Sequence, residues 1–516
     1  MIAHRTPMTL TDSPPGPDAT ALVAASAGYR PPALIAGAWD EVTCAAFRLP
    51  RPAVVRELRC ELAGDGGIAD QRLARDHLRE LAGLAAQGLA AFGYLGFELG
   101  AALERRAVAP RGARSRDVSG RLYRHGEAGA DTKAAAAAAG YFDAAADGRW
   151  LVFDPADLQP VAAARSGPEE AAVAGTSAEV AAWLAGLDLG RASFQRDVDA
   201  VLAAIADGRV YQVNLSRALP LPRRWAQAAH GADAAALWRA LQTAQQVPYA
   251  AIIDLPAPGA SSTPPERLIC ASMERLIRLT PTGPQGQTLA SSRPIKGTVA
   301  RSPEADGREH ADDLRRRAAL LASAKERAEN TMIVDMVRHD LGRVARADGV
   351  RVRALCEAVA YRTLWHLESE VEADLAPGVD SAGLLEALLP PASVSGAPKI
   401  AAIEQIVALE ARRRGPYCGA VGALWPDGRV ELAVGIRQAL IGPNGGELAV
   451  GAGIVADSDP AAEWSELLTK SRGIANALAA LAALPGPRAP GVCQAEQRHG
   501  RGPTAAGASG PGAPPP

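Results

Sequence analysis

Short apolar runs broken by turn-forming residues alternate through residues 21–185: ALIAGAW, AAFGYLGFELG and RWLVFDP each read as strand-like. A stretch of Pro, Ala, Gly and Glu around 155–185 reads as a loop or linker. Residues 186–484 have another texture, mixing amphipathic helices with β-rich runs such as ELAVGIRQALI and ELAVGAGIVAD. Three helices stand out there. One runs from about Ser323 to Arg346, through KERAENTMIVDMVRHDLGRVAR. A second follows the loop SVSGAPK, carries IAAIEQIVALEARRR and stops at Gly415. The third begins at Asp459-Pro460, an N-cap residue followed by proline at the first helical position, and continues AAEWSELLTKSRGIANALAAL. No short repeat is present, and the alternation predicts an α/β or α+β fold rather than an all-helical one. Residues 1–20, rich in Pro, Thr and Asp, and residues 485–516, ending GPTAAGASGPGAPPP, are expected to be disordered tails.

Composition narrows this picture. At 516 residues the chain is too long for one ordinary core, so two lobes or one unusually large domain are expected, and 48% hydrophobic residues suffice for a large interior. A formal net charge of −2 leaves no charge field for nucleic acid or an anionic membrane surface. Any acidic ligand must then be held by locally placed cations. The six cysteines are scattered without a C-x-x-C pair, which argues against a zinc site or a disulfide framework. The N-terminus lacks the apolar core of a signal peptide and no apolar run is long enough to span a bilayer, so the expectation is a cytoplasmic, reduced protein with no membrane contact. Alanine and arginine are abundant throughout, which empties the tract Ala134 to Ala139 of functional meaning.

Candidate chemistry sits on the three helices and the loops near them. Glu326 and Glu329 are three apart on the first helix, and Glu463 and Glu466 three apart on the third, so each pair projects from one helix face. Two facing helices with such carboxylates would suit Mg²⁺, a hard cation that takes oxygen ligands. Taken alone, such pairs are more often solvated faces, and Ser323-x-x-Glu326 also matches a capping box. Lys470, four residues after Glu466, is either a surface ion pair or a cation ready for a substrate carboxylate. The loop SVSGAPK is either a glycine turn or an anion cradle with Ser395, Gly396 and Lys399 as contacts. Arg437, in an apolar run, needs a partner: an internal carboxylate or one from a substrate. Lys296, in RPIKGT, becomes a nucleophile only where desolvation or a neighbouring cation lowers its pKa, and most lysines meet neither condition.

The runs YQVNLSRAL, MERLIRL, RPIKGT, KERAENTMIVDMVRHDLGRV, LWHL, SGAPKIAAIE, PYCGAVGAL, AVGIR and GAGIVADSDPAAEWSELLTKS stand in the order found in chorismate-utilising enzymes. That family includes the large subunits of anthranilate synthase and aminodeoxychorismate synthase. The chain resembles it densely over about 195–480 and weakly further upstream through GYLGFELG. The resemblance implies an anthranilate synthase component I-like layered β-sheet/helix fold with two intimately packed lobes, an N-terminal region with linker at 21–185 and a chorismate-binding catalytic domain at 186–484. It implies Mg²⁺ held directly by Glu329 and Glu466, with Glu326 and Glu463 beside them or acting through water. Tyr417, Arg437, Lys470 and the backbone at Gly453 match positions that hold the carboxylates of chorismate. Ser395 stands where the family often has Thr, His366 lines the same pocket, and Glu274 matches a general acid for the departing C4 hydroxyl, a role that requires a raised pKa.

Two positions bear on the reaction. Family members that add water carry a lysine base where this chain has Gln212, so those reactions are disfavoured. Anthranilate synthases generally have a small residue at the position of Lys296, whereas aminodeoxychorismate synthases commonly have a lysine that attacks C2. Lys296 thus points to 4-amino-4-deoxychorismate, the precursor of p-aminobenzoate and folate, with anthranilate formation as the alternative and a non-catalytic relative as a third reading. Departures from the family pattern are His339 for Asn, Met273 for Pro, the missing double glycine in PASVSGAPK and a lengthened segment between Glu274 and Lys296. No cysteine lies in a glutamine-amidotransferase context, so a separate glutaminase subunit is expected to supply ammonia. No lyase region follows residue 482, so the reaction is expected to stop at the amino intermediate.

Overall fold

The computed structural model describes residues 68–104 and 176–484, apart from short gaps at 233, 246, 256–265, 283–287, 303–309, 362–363, 411 and 443–444, together with the strands before residue 161 named below. The two expected tails, the Ala134 to Ala139 tract and part of the lengthened segment before Lys296 lie outside the described residues.

The strands assemble into two large sheets. The first has the order Gly396–Ala397, Gln212–Pro220, Gly445–Ile454, Gln438–Gly442, Glu266–Ser272, Tyr249–Leu255, Ala33–Gly37, Phe47–Leu49 and Gln159–Pro160. The second runs Ile295–Ala300, Leu364–Leu375, Thr288–Arg293, Arg275–Pro281, Val430–Val434, Ala420–Leu424, Ala90–Leu95, Gly148–Phe153 and Val54–Cys60, and the long strand Ala345–Ala360 also pairs with Leu364–Leu375. Every pairing among the described strands is antiparallel, which makes the fold α+β. Each sheet takes strands from both the 21–185 and the 186–484 regions.

Side-chain alternation explains the layering. Along Ala90–Leu95, Ala90, Phe92 and Tyr94 join Tyr249, Ala251 and Ile253 in an apolar layer between the sheets. The intervening Ala91 and Leu95, with Ala250 and Ile252, belong to the larger core beneath the helices. A strand buried on both faces reads as a continuous apolar run, as YAAIIDL does. The helix Ala324–Gly342 covers the second sheet at Ile295–Ala300, Ala345–Ala360 and Leu364–Leu375. The helix Pro460–Ala483 covers Gly445–Ile454 of the first sheet and packs against the helices Arg191–Ala206, Arg223–Gly231 and Ala234–Ala244. No helix among the described residues is long and apolar enough to cross a membrane.

Several elements differ from the sequence reading. The run ELAVGIRQALI is two strands in different sheets, Val430–Val434 and Gln438–Gly442, with Gly435–Arg437 crossing between them. A Cβ on Gly435 would sit 2.4 Å from the Pro416 carbonyl oxygen, so only glycine permits this passage. The second half of AAFGYLGFELG is a helix, Phe97–Leu103. The first glutamate helix ends at Gly342, because the chain turns into the strand beginning at Ala345. The middle helix closes at Glu410, short of Gly415, where the Arg414 guanidinium turns back onto the Glu410 carboxylate and the Asn214 and Val394 carbonyls.

Candidate functional site

A cavity of about 630 Å³ opens where both glutamate helices meet strands of the two sheets and the crossings between them. It gathers Lys296, Glu274, Tyr417, Arg437, Gly453, Lys470, His366 and all four glutamates, Glu326, Glu329, Glu463 and Glu466.

Lys296 is presented by a bulge. Ile295 pairs with Glu368 and Thr298 with His366, so three steps on one strand face two on the other. The extra residue falls at Lys296-Gly297, and Gly297 takes a φ of +93° that favours glycine. Gly453 makes room opposite: a Cβ there would lie 3.2 Å from Lys296 Nζ and 2.7 Å from Gln212 Nε2. Burial lowers the Lys296 pKa and the Lys470 ammonium adds to this, against the opposing pull of Glu329, Glu274 and Glu466.

Glu274 and Arg437 sit on two neighbouring crossings between the sheets. Met273-Glu274 carries the chain from Glu266–Ser272 into Arg275–Pro281, and Gly435–Arg437 carries it back. The crossings hold one another: Val434 N–H donates to the Glu274 carbonyl at 3.0 Å, and Ala271 N–H to the Arg437 carbonyl at 2.9 Å. Burial pushes the Glu274 carboxyl up to about 7, against a hydrogen bond from Ser393 and the charge of Lys296. Arg437 adopts φ 52°, a conformation rare outside glycine, and its guanidinium donates to the Lys470 carbonyl at 2.5 Å. Burial pulls its pKa down, offset by Tyr417 and Glu466.

The glutamates resolve the capping question by halves. Ser323 Oγ accepts the Glu326 N–H at 3.3 Å, while the Ser323 N–H donates to Leu320; the reciprocal arm is missing, and Glu326 lines the cavity instead. On the other helix Asp459 caps as expected, its Oδ1 accepting from Ala461 and Ala462 N–H at 3.0 and 2.8 Å. Ser458 donates to Glu463 at 2.6 Å, and Lys470 pairs with Glu466 at 2.7 Å. Burial raises the carboxyls of Glu326, Glu329 and Glu463. Burial also pushes on Glu466, but Lys470 holds it below the usual range. Among the described residues no three His, Cys, Asp or Glu side chains converge into a closed metal cage. The cavity carboxylates are an open set of oxygen donors, which fits Mg²⁺, an ion that keeps waters and takes one or two protein carboxylates.

His366 faces the cavity as neutral imidazole, its pKa lowered to about 3 by burial and by Arg437 and Lys470. Its Nδ1 lies 2.7 Å from Thr298 Oγ1, and its buried Nε2 has no hydrogen-bond partner in the protein.

Four expected contacts do not line the cavity. Ser395 donates its hydroxyl to the Pro391 carbonyl at 2.9 Å, and Gly396 pairs with Val213 in the first sheet. Gln212 is fully buried with neither amide atom hydrogen-bonded, its Nε2 beside Gly453. Lys399 is taken up by Asp340 at 2.6 Å. Conversely, the sequence reading missed Ser393, Thr298 and Asn214 on the cavity wall and Asn330 behind it. Asn330 carried a signal: it falls on the stripe Asn330, Ile333, Val334, Val337 and Leu341 of the buried helix face, where a polar side chain needs partners.

The sequence profile of a family described as chorismate binding enzyme matches residues 47–476. The anthranilate synthase component 1 of Streptomyces coelicolor is 37% identical over 319 residues, covering 62% of this chain and 57% of that protein. The aminodeoxychorismate synthase component 1 of Klebsiella aerogenes is 34% identical over 310 residues, covering 60% and 62%. The matched part thus spans little more than half the length of these relatives. Among solved structures, anthranilate synthase component I from Streptococcus pneumoniae superposes with a TM-score of 0.55 at 21% identity, covering 87% of this chain and 93% of that one, a likeness of fold.

Proposed function

This chain belongs to the family of chorismate binding enzymes, and from that premise we propose that it is the component I of an aminodeoxychorismate synthase, converting chorismate and ammonia to 4-amino-4-deoxychorismate. The observation that carries the reading is Lys296, held on a bulge in the cavity wall with burial and Lys470 favouring its neutral, nucleophilic form. Opposite requirements are met by Glu274, whose raised pKa favours the protonated acid.

In this reading the neutral Lys296 Nζ bonds to C2 of chorismate. The ring double bonds shift, the C4–O bond breaks, and the hydroxyl leaves as water with the proton of Glu274. Ammonia then bonds to C4, the double bonds shift back, and the C2–N bond breaks to release Lys296 as the free amine. The new ammonium returns its surplus proton to Glu274, so protons balance over the cycle. Arg437, Tyr417, Lys470 and the Gly453 backbone are assigned to the substrate carboxylates, and Gln212, which cannot act as a base, leaves water without activation. Mg²⁺ held by Glu329 and Glu466, with Glu326 and Glu463 beside them, would neutralise the ring carboxylate when bound. Ammonia is assigned to a glutaminase partner, and the setting to p-aminobenzoate and folate synthesis in the cytoplasm.

The second reading is anthranilate synthase, favoured by the 37% identity to such a relative. Lys296→Ala separates the two, because only the covalent route needs the amine. Chorismate, Mg²⁺ and ammonium should give an amino product that an aminodeoxychorismate lyase turns into p-aminobenzoate, and the variant should lose it.

A further inference from the structure

A β-bulge orphans the backbone of its extra residue, and in a buried wall that backbone must find a partner elsewhere. At Lys296 the partner comes from a helix. Asn330, 1% exposed and one residue past Glu329, donates Nδ2 to the Lys296 carbonyl at 3.3 Å and to the Leu367 carbonyl at 2.9 Å. Its Oδ1 accepts the hydroxyl of Ser369, a residue of the central strand Leu364–Leu375.

A second bulge lies on the other side of that strand. Ala354 pairs with Glu370 and Glu357 with Glu368, leaving an extra residue at Leu355-Cys356, and Cys356 has φ 54°. Its N–H donates to Ser369 Oγ at 2.9 Å, and Ser369 N–H donates to the Pro294 carbonyl at 3.1 Å, just before the Lys296 bulge. Asn330 and Ser369 thus tie two bulges, one helix and the central strand into a single polar joint. The same helix carries Glu326, whose Oε2 is 3.0 Å from where a Gly297 Cβ would stand.

We propose that Asn330, oriented by Ser369, is a positioning residue that clamps the Lys296 bulge and so fixes where the lysine nitrogen meets its electrophile. The inference rests on the reading of Lys296 as the nucleophile. Apolar side chains at these positions would leave the Lys296 carbonyl without a partner, the bulge would relax, and the amine would lose its attack geometry while the carboxylate contacts on other elements stayed.

The test is a single-turnover mixture of the full chain, Mg²⁺ and chorismate without ammonia, in which the lysine adduct is followed by intact mass and chorismate binding by titration. Asn330→Ala should slow adduct formation roughly 100-fold, the scale set by a displacement of about 1 Å, with binding changed by less than about threefold. Ser369→Ala should act in the same direction and Ser369→Thr, which keeps the hydroxyl, should return the rate to within a few-fold of wild type. Adduct formation at the wild-type rate in folded Asn330→Ala overturns the proposal. So does equal behaviour of Ser369→Ala and Ser369→Thr, which decides the matter if Asn330→Ala does not fold. Lys296→Ala is the separate control. If it still makes the amino product at the wild-type rate, the reading of Lys296 fails, whatever Asn330 does.

Discussion

Glu274 and Lys296 line one cavity, and the proposed reaction asks opposite protonation states of them, so the residue scale is where that chemistry is tested. An acid works in its protonated form, so a carboxyl raised to about 7 keeps activity below that pH and loses it above. The expected profile of kcat/KM therefore descends through about 7, and Glu274→Gln should remove that limb while lowering the rate by roughly 10²–10⁴. Gly453→Ala should cut turnover without unfolding the protein, because its methyl would meet the Gln212 amide and the lysine tip; activity close to wild type would refute that packing. Much of this was legible as motifs, since Lys296, Glu274, His366 and the glutamates were all named from the chain and converge on one cavity. Asn330 was not named: its place on the buried stripe marks a polar side chain that needs partners, but that one partner is the carbonyl of a bulged residue is recorded by no side-chain pattern.

Two helix starts and two sheet crossings frame the cavity, and each is an element-scale device. Ser323 caps one glutamate helix, so Ser323→Ala should cost about 1 kcal/mol, read as a lower melting temperature, with Glu326 still facing the cavity. Arg437→Ala removes a guanidinium assigned to a substrate carboxylate; losing a charged hydrogen bond of about 1.5–3 kcal/mol should raise KM roughly 10- to 100-fold with a smaller effect on kcat. The helix start at Asp459-Pro460 was readable from its cap and proline. The crossing in ELAVGIRQALI was not, because an apolar run stays apolar when it leaves one sheet for another. What marks the crossing is backbone geometry: a glycine against the Pro416 carbonyl and an arginine at positive φ.

At the scale of the whole molecule, two antiparallel sheets share an apolar layer and carry helices on their outer faces, and the cavity lies beside the two crossings that join them. Alternating side chains announce which faces are buried but not which distant strands pair, so the joining of Ala90–Leu95 to Ala420–Leu424 had no sequence signal. The layout leaves buried and part-buried carboxylates facing one space with raised pKa values. Chelation should therefore abolish turnover, added Mg²⁺ should restore it, and Glu329→Gln or Glu466→Gln should raise the Mg²⁺ concentration needed for half-maximal rate. The most direct measurement of the central claim is the product that the full chain makes from chorismate, ammonium and Mg²⁺, resolved by chromatography with and without an added aminodeoxychorismate lyase. The expected product is 4-amino-4-deoxychorismate, with p-aminobenzoate appearing only when the lyase is present and nothing appearing with Lys296→Ala. Fluorescent anthranilate as the main product, formed equally by Lys296→Ala, would contradict it.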